Sequence, residues 1–253
     1  MQILESTSGP AREPQRIQLV ISRGTWATWL LIGLNVAAFG WMISRGADPM
    51  SVSGELAYEL GANQYQAVRI HGEWWRLLVS TFLHGSVLHL FFNMWGLRVL
   101  GPFAESYLGG AGFLALYLIC GIAASVVSVH WSPDIVSLGA SGSIFALLGA
   151  TLAFFLRHRR EMPKALFRGQ VRSMLMLIGI NVALGFSMPH IDNAAHFGGL
   201  LFGLLGGFLL DRPLMQEPRM TARRWMGALL LALAIMPLAY VVAMASAAVR
   251  GRG

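Results

Sequence analysis

The sequence predicts an all-helical membrane protein, and the prediction depends on its composition and on its long apolar runs. Of the 253 residues, 55% are hydrophobic and only 12% are charged, and the mean hydropathy is +0.58. Soluble domains carry about 25% charged residues, so the composition excludes an ordinary soluble enzyme. It also excludes intrinsic disorder, which combines few hydrophobic residues with many charges.

Seven apolar runs are long enough to cross a bilayer as helices. A hydrocarbon core of about 30 Å requires about 20 apolar residues, because a helix rises ~1.5 Å per residue. The runs are continuous rather than alternating, which favours helices over a β-barrel. They cover residues 25–44, 82–100, 108–129, 137–156, 173–189, 193–210 and 225–248.

These runs divide the chain into three parts. Residues 1–24 lack the pattern of a removable signal peptide and are expected to form a cytoplasmic tail. Residues 25–211 hold six runs, with an outer loop at 45–81 between the first two. Residues 212–253 are expected to form a cytoplasmic loop, a seventh helix and a short external tail.

Basic residues predict the orientation. With the N-terminus in the cytoplasm, 14 of the 19 Lys and Arg residues fall on the inside and 5 on the outside. By the positive-inside rule, the N-terminus is cytoplasmic and the C-terminus external. The net charge of +7 therefore reflects orientation and contact with anionic lipid, not a nucleic-acid surface.

Polar side chains in the second, fourth and sixth runs are expected to mark function, because polar groups inside a membrane are costly. These three runs enter the membrane from the outer face, with their polar residues within about 12 positions of entry. His89, Ser141 and His196 are therefore expected at one depth, about 5–10 Å from the outer edge. The polar residues are His84, His89 and Asn93; Ser141 and Ser143; Asn193 and His196.

Ser141 and His196 are candidates for a nucleophile and its base. Ser141 belongs to the Gly-Ala-Ser-Gly segment 139–142, where the first turn of a helix leaves backbone N–H groups free to bind an anion. His196 precedes Gly199 and Gly203, a stripe that allows close helix packing. If the two segments pack together, the imidazole can take the serine proton. The alternatives are a serine in a packed helix contact and a structural histidine.

His89 and Asn93 lie four residues apart and so share a helix face. An imidazole and a carboxamide are suitable donors to the oxyanion of an acyl transfer. His84 lies about 140° from His89 around a helix, so we expect it to hold the loop above the site. A metal site is the rival explanation for three histidines, but the runs contain no His-Glu-x-x-His motif. We expect neither a metal nor a cofactor.

Together these residues resemble the motifs of the rhomboid family of intramembrane serine proteases. The resemblance covers roughly residues 62–211 and follows the family's order along the chain. The matching motifs are Gly72-Glu73-Trp74-Trp75-Arg76, His84, His89 with Asn93, Glu105, Gly139-x-Ser141-Gly142, and Ala195-His196 followed by Gly199 and Gly203.

The resemblance implies a Ser-His dyad without an aspartate. Ser141 would be the nucleophile and His196 the general base. Oxyanion stabilisation would come from His89, Asn93 and the backbone N–H of Ser141, with Gly139 keeping the adjoining turn compact.

The other motif residues are implied to be structural. Trp75 and Arg76 would brace the outer loop at the membrane interface. Phe145 replaces a tyrosine that the family often has four residues after the serine, which keeps the ring and loses the hydroxyl. The implied structural set is Trp75, Arg76, His84, Glu105, Phe145, Gly199 and Gly203. The seventh run resembles the six-plus-one topology of part of the family.

The expected function is hydrolysis of a peptide bond in or near the outer end of a transmembrane helix of another membrane protein. The alternative is a catalytically silent rhomboid-like protein that binds or retains membrane proteins, although such relatives typically lack the serine or the histidine. A transporter is disfavoured, because broken helices do not recur at matching places in two halves. The expected location is a bacterial plasma (inner) membrane, and the sequence assigns no oligomeric state.

Overall fold

The computed structural model describes residues 25–188 and 191–210, and these residues are mainly helical. The α-helices are α1 (Trp26–Ser44), α2 (Gly54–Glu59), α3 (Arg76–Val79), α4 (Val87–Trp131), α5 (Ser141–Arg157), α6 (Lys164–Ser187) and α7 (Asn193–Leu210). A π-helical turn covers Gln66–Ile70 and a 3-10 turn covers Ser80–Phe82. The described residues contain no β-strand, only an isolated bridge between Asn63 and Ser137. The all-helical prediction is confirmed for these residues.

Four of the described helices, α1, α4, α6 and α7, are long and apolar enough to cross a membrane. Helix α5 is apolar but shorter, at 17 residues. The predicted tail at 1–24 and the predicted seventh run at 225–248 lie outside the described residues. The total of seven spans therefore stays a prediction.

The second and third predicted runs lie in the single element α4, which turns back on itself at Gly109. Its 45 residues would extend about 67 Å if straight, twice the bilayer core. Gly109 has a φ of 72° and a ψ of 157°, which interrupts the helix and suits glycine. Gly101 faces Thr28 and Gly110 faces Trp26, although a straight helix would separate the two glycines by about 13 Å. We call 87–108 the first limb and 110–131 the second limb.

Three predicted helix starts were wrong. The first limb begins at Val87 rather than 82, because Ser86 caps it by accepting the His89 N–H at 3.1 Å. Helix α5 begins at Ser141 rather than 137, because the preceding residues form a turn. Helix α6 begins at Lys164, directly after Pro163, rather than at 173. Its first turns carry basic residues, whose long side chains can reach the interface from a helix.

The core lies between the second limb of α4, α5 and α7. Its largest fully buried side chains include Phe113, Tyr117, Phe154 and Phe202. In contrast, α6 has only Met174 buried among its residues. Two of the core helices, α5 and α7, carry Ser141 and His196.

Glu105 joins the first limb of α4 to the start of α1. Its carboxylate accepts the backbone N–H groups of Ala27 at 3.0 Å and Thr28 at 2.9 Å, and the Thr28 hydroxyl at 2.8 Å. The first N–H groups of a helix have no partner within it, and a carboxylate at this end also interacts favourably with the helix dipole. Glu105 is 1% exposed and caps α1 from a distant part of the chain.

Glu105→Ala should lower the free energy of unfolding by about 2–4 kcal/mol, because it leaves three buried donors without their charged acceptor. Glu105→Gln keeps one acceptor oxygen and should lose less. Thermal denaturation in detergent measures both effects. The control is Glu59→Ala, which removes an exposed carboxylate, and an equal loss in this control would contradict the assignment.

Candidate active site

Three helices present polar residues in their first turns at one end of the core. His89 is in the first turn of α4, Ser141 is the first residue of α5, and His196 is in the first turn of α7. Asn93 follows His89 by one turn. The structure thus brings the predicted residues to corresponding helix ends.

Helices α5 and α7 meet backbone to backbone along a stripe of small residues. A methyl group at Gly199 would overlap the carbonyl oxygen of Gly142, and one at Gly203 would overlap that of Ala146. Gly149 on α5 packs in the same way on the backbone of α7. Only glycine permits such an approach, and it brings the first turns that carry Ser141 and His196 side by side.

His196 is held by a ring stack. The Phe145 and His196 rings are 4.3 Å apart between centroids and 7° from parallel. His196 is 6% exposed, whereas Ser141 is partly exposed. Within the described residues, no hydrogen bond joins the Ser141 hydroxyl to His196, so a direct contact between the two side chains stays a prediction.

His89 and Asn93 lie beside the turn that precedes Ser141. A methyl group at Gly139 would lie 2.8 Å from both Cε1 and Nε2 of His89 and 3.8 Å from Nδ2 of Asn93. Gly139 has a φ of 130°, a region that favours glycine, and it donates its N–H to the Ser80 carbonyl at 2.9 Å. A glycine is therefore required here both for conformation and for space.

The N-terminus of α5 supplies a backbone donor at the same place. Ala140 precedes the helix, and no side chain caps it. The N–H of Ser141 occupies the first helical position, where an α-helix offers no carbonyl acceptor. Gly139, two residues before this donor, lies beside the His89 imidazole and the Asn93 carboxamide.

His84 and Arg76 support the loops around the site. His84 Nδ1 lies 3.2 Å from the Phe82 carbonyl, and its ring makes an edge contact with that of His89 at 5.1 Å. His84 thus contacts both the loop before the first limb and the His89 ring.

Arg76 is 5% exposed and ties the outer loop together. It bonds to Glu73 and to the carbonyls of Tyr58 and Ala62. Its guanidinium also lies 4.4 Å from the Tyr58 ring and 4.8 Å from the Trp75 ring. These contacts join Arg76 to three parts of the outer loop.

Asp192 is a polar residue near the site that the sequence interpretation did not include. Its carboxylate accepts the Ala195 N–H at 3.1 Å and the hydroxyl of Ser128 on the second limb of α4. The signal was present in the sequence, because an aspartate directly before an apolar run is typical of a helix N-cap. Ser128 gave no such signal.

Among the described residues, no group of three or more His, Cys, Asp or Glu side chains could hold a metal ion.

Comparison with known families identifies the family to which the chain belongs. A family model described as a Rhomboid domain matches residues 71–213, more than half of the chain. The chain belongs to the rhomboid family. It is therefore an integral membrane protein of a family composed mostly of serine intramembrane proteases.

Several relatives within the rhomboid family are similar to this chain. Rhomboid protease GluP of Bacillus subtilis is 36% identical over 186 residues, which is 74% of this chain and 35% of that protein. RHOMBOID-like protein 6, mitochondrial, of Arabidopsis thaliana is 36% identical over 60% of this chain and 48% of that protein. Putative rhomboid protease YdcA of Bacillus subtilis is 38% identical over 56% of this chain and 67% of that protein. The chain thus spans a third to a half of the first two relatives.

Gly199→Ala should separate α5 from α7 and reduce any activity of the site. The added methyl group overlaps the Gly142 carbonyl, and overpacking of this kind costs about 1–3 kcal/mol. The matched control is Gly179→Ala on α6, where the added methyl group meets nothing within 4 Å. Thermal stability in detergent and the cleavage rate of a single-span substrate measure the two variants. Wild-type values for Gly199→Ala would contradict the close packing.

Proposed function

We propose that this rhomboid protein is a serine endopeptidase that cleaves peptide bonds in or near the outer end of transmembrane helices. The observation that supports it most directly is the contact between the first turns of α5 and α7. This contact brings the segment that bears Ser141 next to the segment that bears His196. The name of the relative GluP, a rhomboid protease, points to the same class of reaction.

In the proposed reaction, Ser141 Oγ attacks the scissile carbonyl carbon while His196 takes the hydroxyl proton. His196 then gives that proton to the leaving amine, and an acyl-enzyme ester remains on Ser141. Water attacks the ester with His196 again acting as base, which releases the new carboxyl end and restores the serine. The Phe145 ring beneath His196 keeps the imidazole in one plane through these transfers.

His89, Asn93 and the Ser141 backbone N–H are the proposed donors to the tetrahedral oxyanion. Donors already in place before the reaction stabilise the charge without further reorganisation. Asn93 Nδ2 donates to the His89 carbonyl at 3.0 Å, which leaves its second N–H for the oxyanion. Gly139 supports this group by allowing His89 to pack against the turn.

The substrate must present an extended backbone to Ser141, because a helix conceals its peptide groups within its own hydrogen bonds. We propose that preferred substrates carry small or helix-breaking residues near the cleaved bond. We propose that the outer loop, which Arg76 holds together, covers the site at the membrane surface. We also propose that the N-terminus is cytoplasmic and that the protein lies in a bacterial plasma membrane. Transit peptides to organelles are poor in acidic residues, whereas this N-terminal segment carries Glu5 and Glu13.

A silent binding protein is the competing function. Retention of both Ser141 and His196 favours the enzyme, since a protein that only binds membrane helices has no need of a nucleophile and its base. Labelling of Ser141 by a mechanism-based serine reagent separates the two functions.

Ser141→Ala should abolish cleavage of a model single-span substrate while leaving membrane insertion intact, because the nucleophilic oxygen is removed. Ser143→Ala is the matched control, because Ser143 lies on the same helix and its buried hydroxyl packs against Gly121. Cleavage in reconstituted vesicles and fluorophosphonate labelling are measured together. Residual cleavage by Ser141→Ala would contradict the proposed nucleophile.

Asn93→Ala should lower kcat by about 10²–10³-fold with little change in KM, the usual cost of one lost oxyanion donor. Asn181→Ala on α6 is a close control. Its Nδ2 donates to the carbonyl four residues earlier at 2.9 Å, as that of Asn93 does at 3.0 Å. Equal rates for the two variants would remove Asn93 from the site.

A further inference from the structure

We infer that Asp192 is a positioning residue for His196, which it fixes by joining the first turn of α7 to Ser128 on the second limb of α4. This inference rests on the proposed function, in which His196 is the general base. It adds an aspartate to a site that the family resemblance describes as a dyad alone.

The Asp192 carboxylate makes two contacts. Oδ1 accepts the Ala195 N–H at 3.1 Å, one residue before His196, and Oδ2 accepts the Ser128 hydroxyl. The His196 N–H donates to the Asp192 backbone carbonyl at 3.2 Å. Side chain and backbone of one residue therefore hold the turn that carries the imidazole.

The His196 ring lacks a polar partner at Nδ1 among the described residues, and that atom is buried. In a Ser-His-Asp triad, an aspartate orients the histidine through this nitrogen. Here Phe145 packs on the ring face, but a stack leaves the ring free to slide in its own plane. The position of the imidazole therefore depends on the position of the α7 backbone.

The second limb of α4 supports both the Ser141 segment and the His196 segment. Ala124 lies 3.0 Å from a methyl group placed on Gly142, and 3.3 Å from one placed on Gly198. One residue of α4 thus contacts the neighbours of both Ser141 and His196. Ser128 lies one turn beyond Ala124 on the same helix face. Its bond to Asp192 therefore ties His196 to the helix that also supports Ser141.

A simple N-cap role alone would not require Ser128. A cap needs one oxygen for the backbone N–H, and Oδ1 supplies it. The bond from Oδ2 holds the start of α7 on the second limb of α4, which also packs against Gly142 next to Ser141. It therefore fixes His196 relative to Ser141 through a shared support.

The test compares Asp192→Ala, Asp192→Asn and Ser128→Ala in the full-length protein in lipid vesicles. We measure kcat and KM on a model single-span substrate, the rate of Ser141 labelling by a fluorophosphonate, and the melting temperature. Asp192→Ala should lower kcat and the labelling rate by about 10- to 100-fold, the usual cost of a small misplacement of a reacting group. KM should stay within about twofold of wild type, because the substrate contacts are unchanged.

Ser128→Ala should lower kcat and the labelling rate in the same direction but by less, since the cap on Ala195 remains. Asp192→Asn should recover most of the rate, because its amide can accept the Ala195 N–H and pair with the Ser128 hydroxyl. Two controls remove comparable groups elsewhere. Ser53→Ala removes the N-cap of α2, and Thr151→Val removes a buried hydroxyl that bonds within α5.

Three results would overturn the inference. The first is a wild-type kcat and labelling rate in Asp192→Ala and Ser128→Ala. The second is a loss that only follows the folded fraction given by the melting temperature. The third is a loss in Asp192→Asn as large as that in Asp192→Ala, which would assign the effect to charge rather than position.

Ser141→Ala is measured alongside to separate this inference from the proposed function. If Ser141→Ala still cleaves the substrate, the proposed function fails. If cleavage requires Ser141 but the Asp192 variants are as fast as wild type, only the positioning role fails.

Discussion

The backbone contact between α5 and α7 is the constraint on which the rest of the site depends. Within lipid, apolar side chains gain little by leaving the solvent, so helix association relies on close packing and on polar contacts. The glycines at 199 and 203 allow the carbonyls of Gly142 and Ala146 to lie against α7. Because the contact is between backbones, it fixes the first turns of the two helices more firmly than flexible side chains could. Ser141 and His196 take their places from this contact.

The outer loop and the turn before Ser141 form a second, connected support. Asn63 and Ser137 exchange backbone hydrogen bonds at 2.8 Å, and Asn63 Nδ2 also donates to the Ser125 carbonyl at 3.0 Å. Gly139 is bound to the Ser80 carbonyl and packs on His89. The turn that presents the Ser141 N–H is therefore anchored to the outer loop, to the second limb of α4 and to the proposed oxyanion donors at once.

The sequence predicts the elements that depend on composition and on local spacing. Apolar runs reveal helices because lipid imposes length and hydrophobicity on each crossing, and Ser141, His89 and His196 stand out because polar groups are rare there. The start of α6 was misplaced because hydropathy counts Arg172 as a boundary, whereas a long basic side chain can extend from a helix to the interface. The runs 82–100 and 108–129 predicted a break between them, but not its place at Gly109. The bonds from Glu105 to α1 and from Asp192 to Ser128 were not predicted, because they join residues far apart in the chain and leave no local periodicity.

The cap that Glu105 provides for α1 has a consequence for biogenesis. During synthesis, α1 is completed long before residue 105 emerges, so the N–H groups of Ala27 and Thr28 must first be satisfied by interfacial water. Arrival of the first limb of α4 replaces that water with a buried carboxylate. The pairing of these two helices is thus the step that removes water from the start of α1, and a nascent chain truncated before Glu105 would retain an uncapped, hydrated α1.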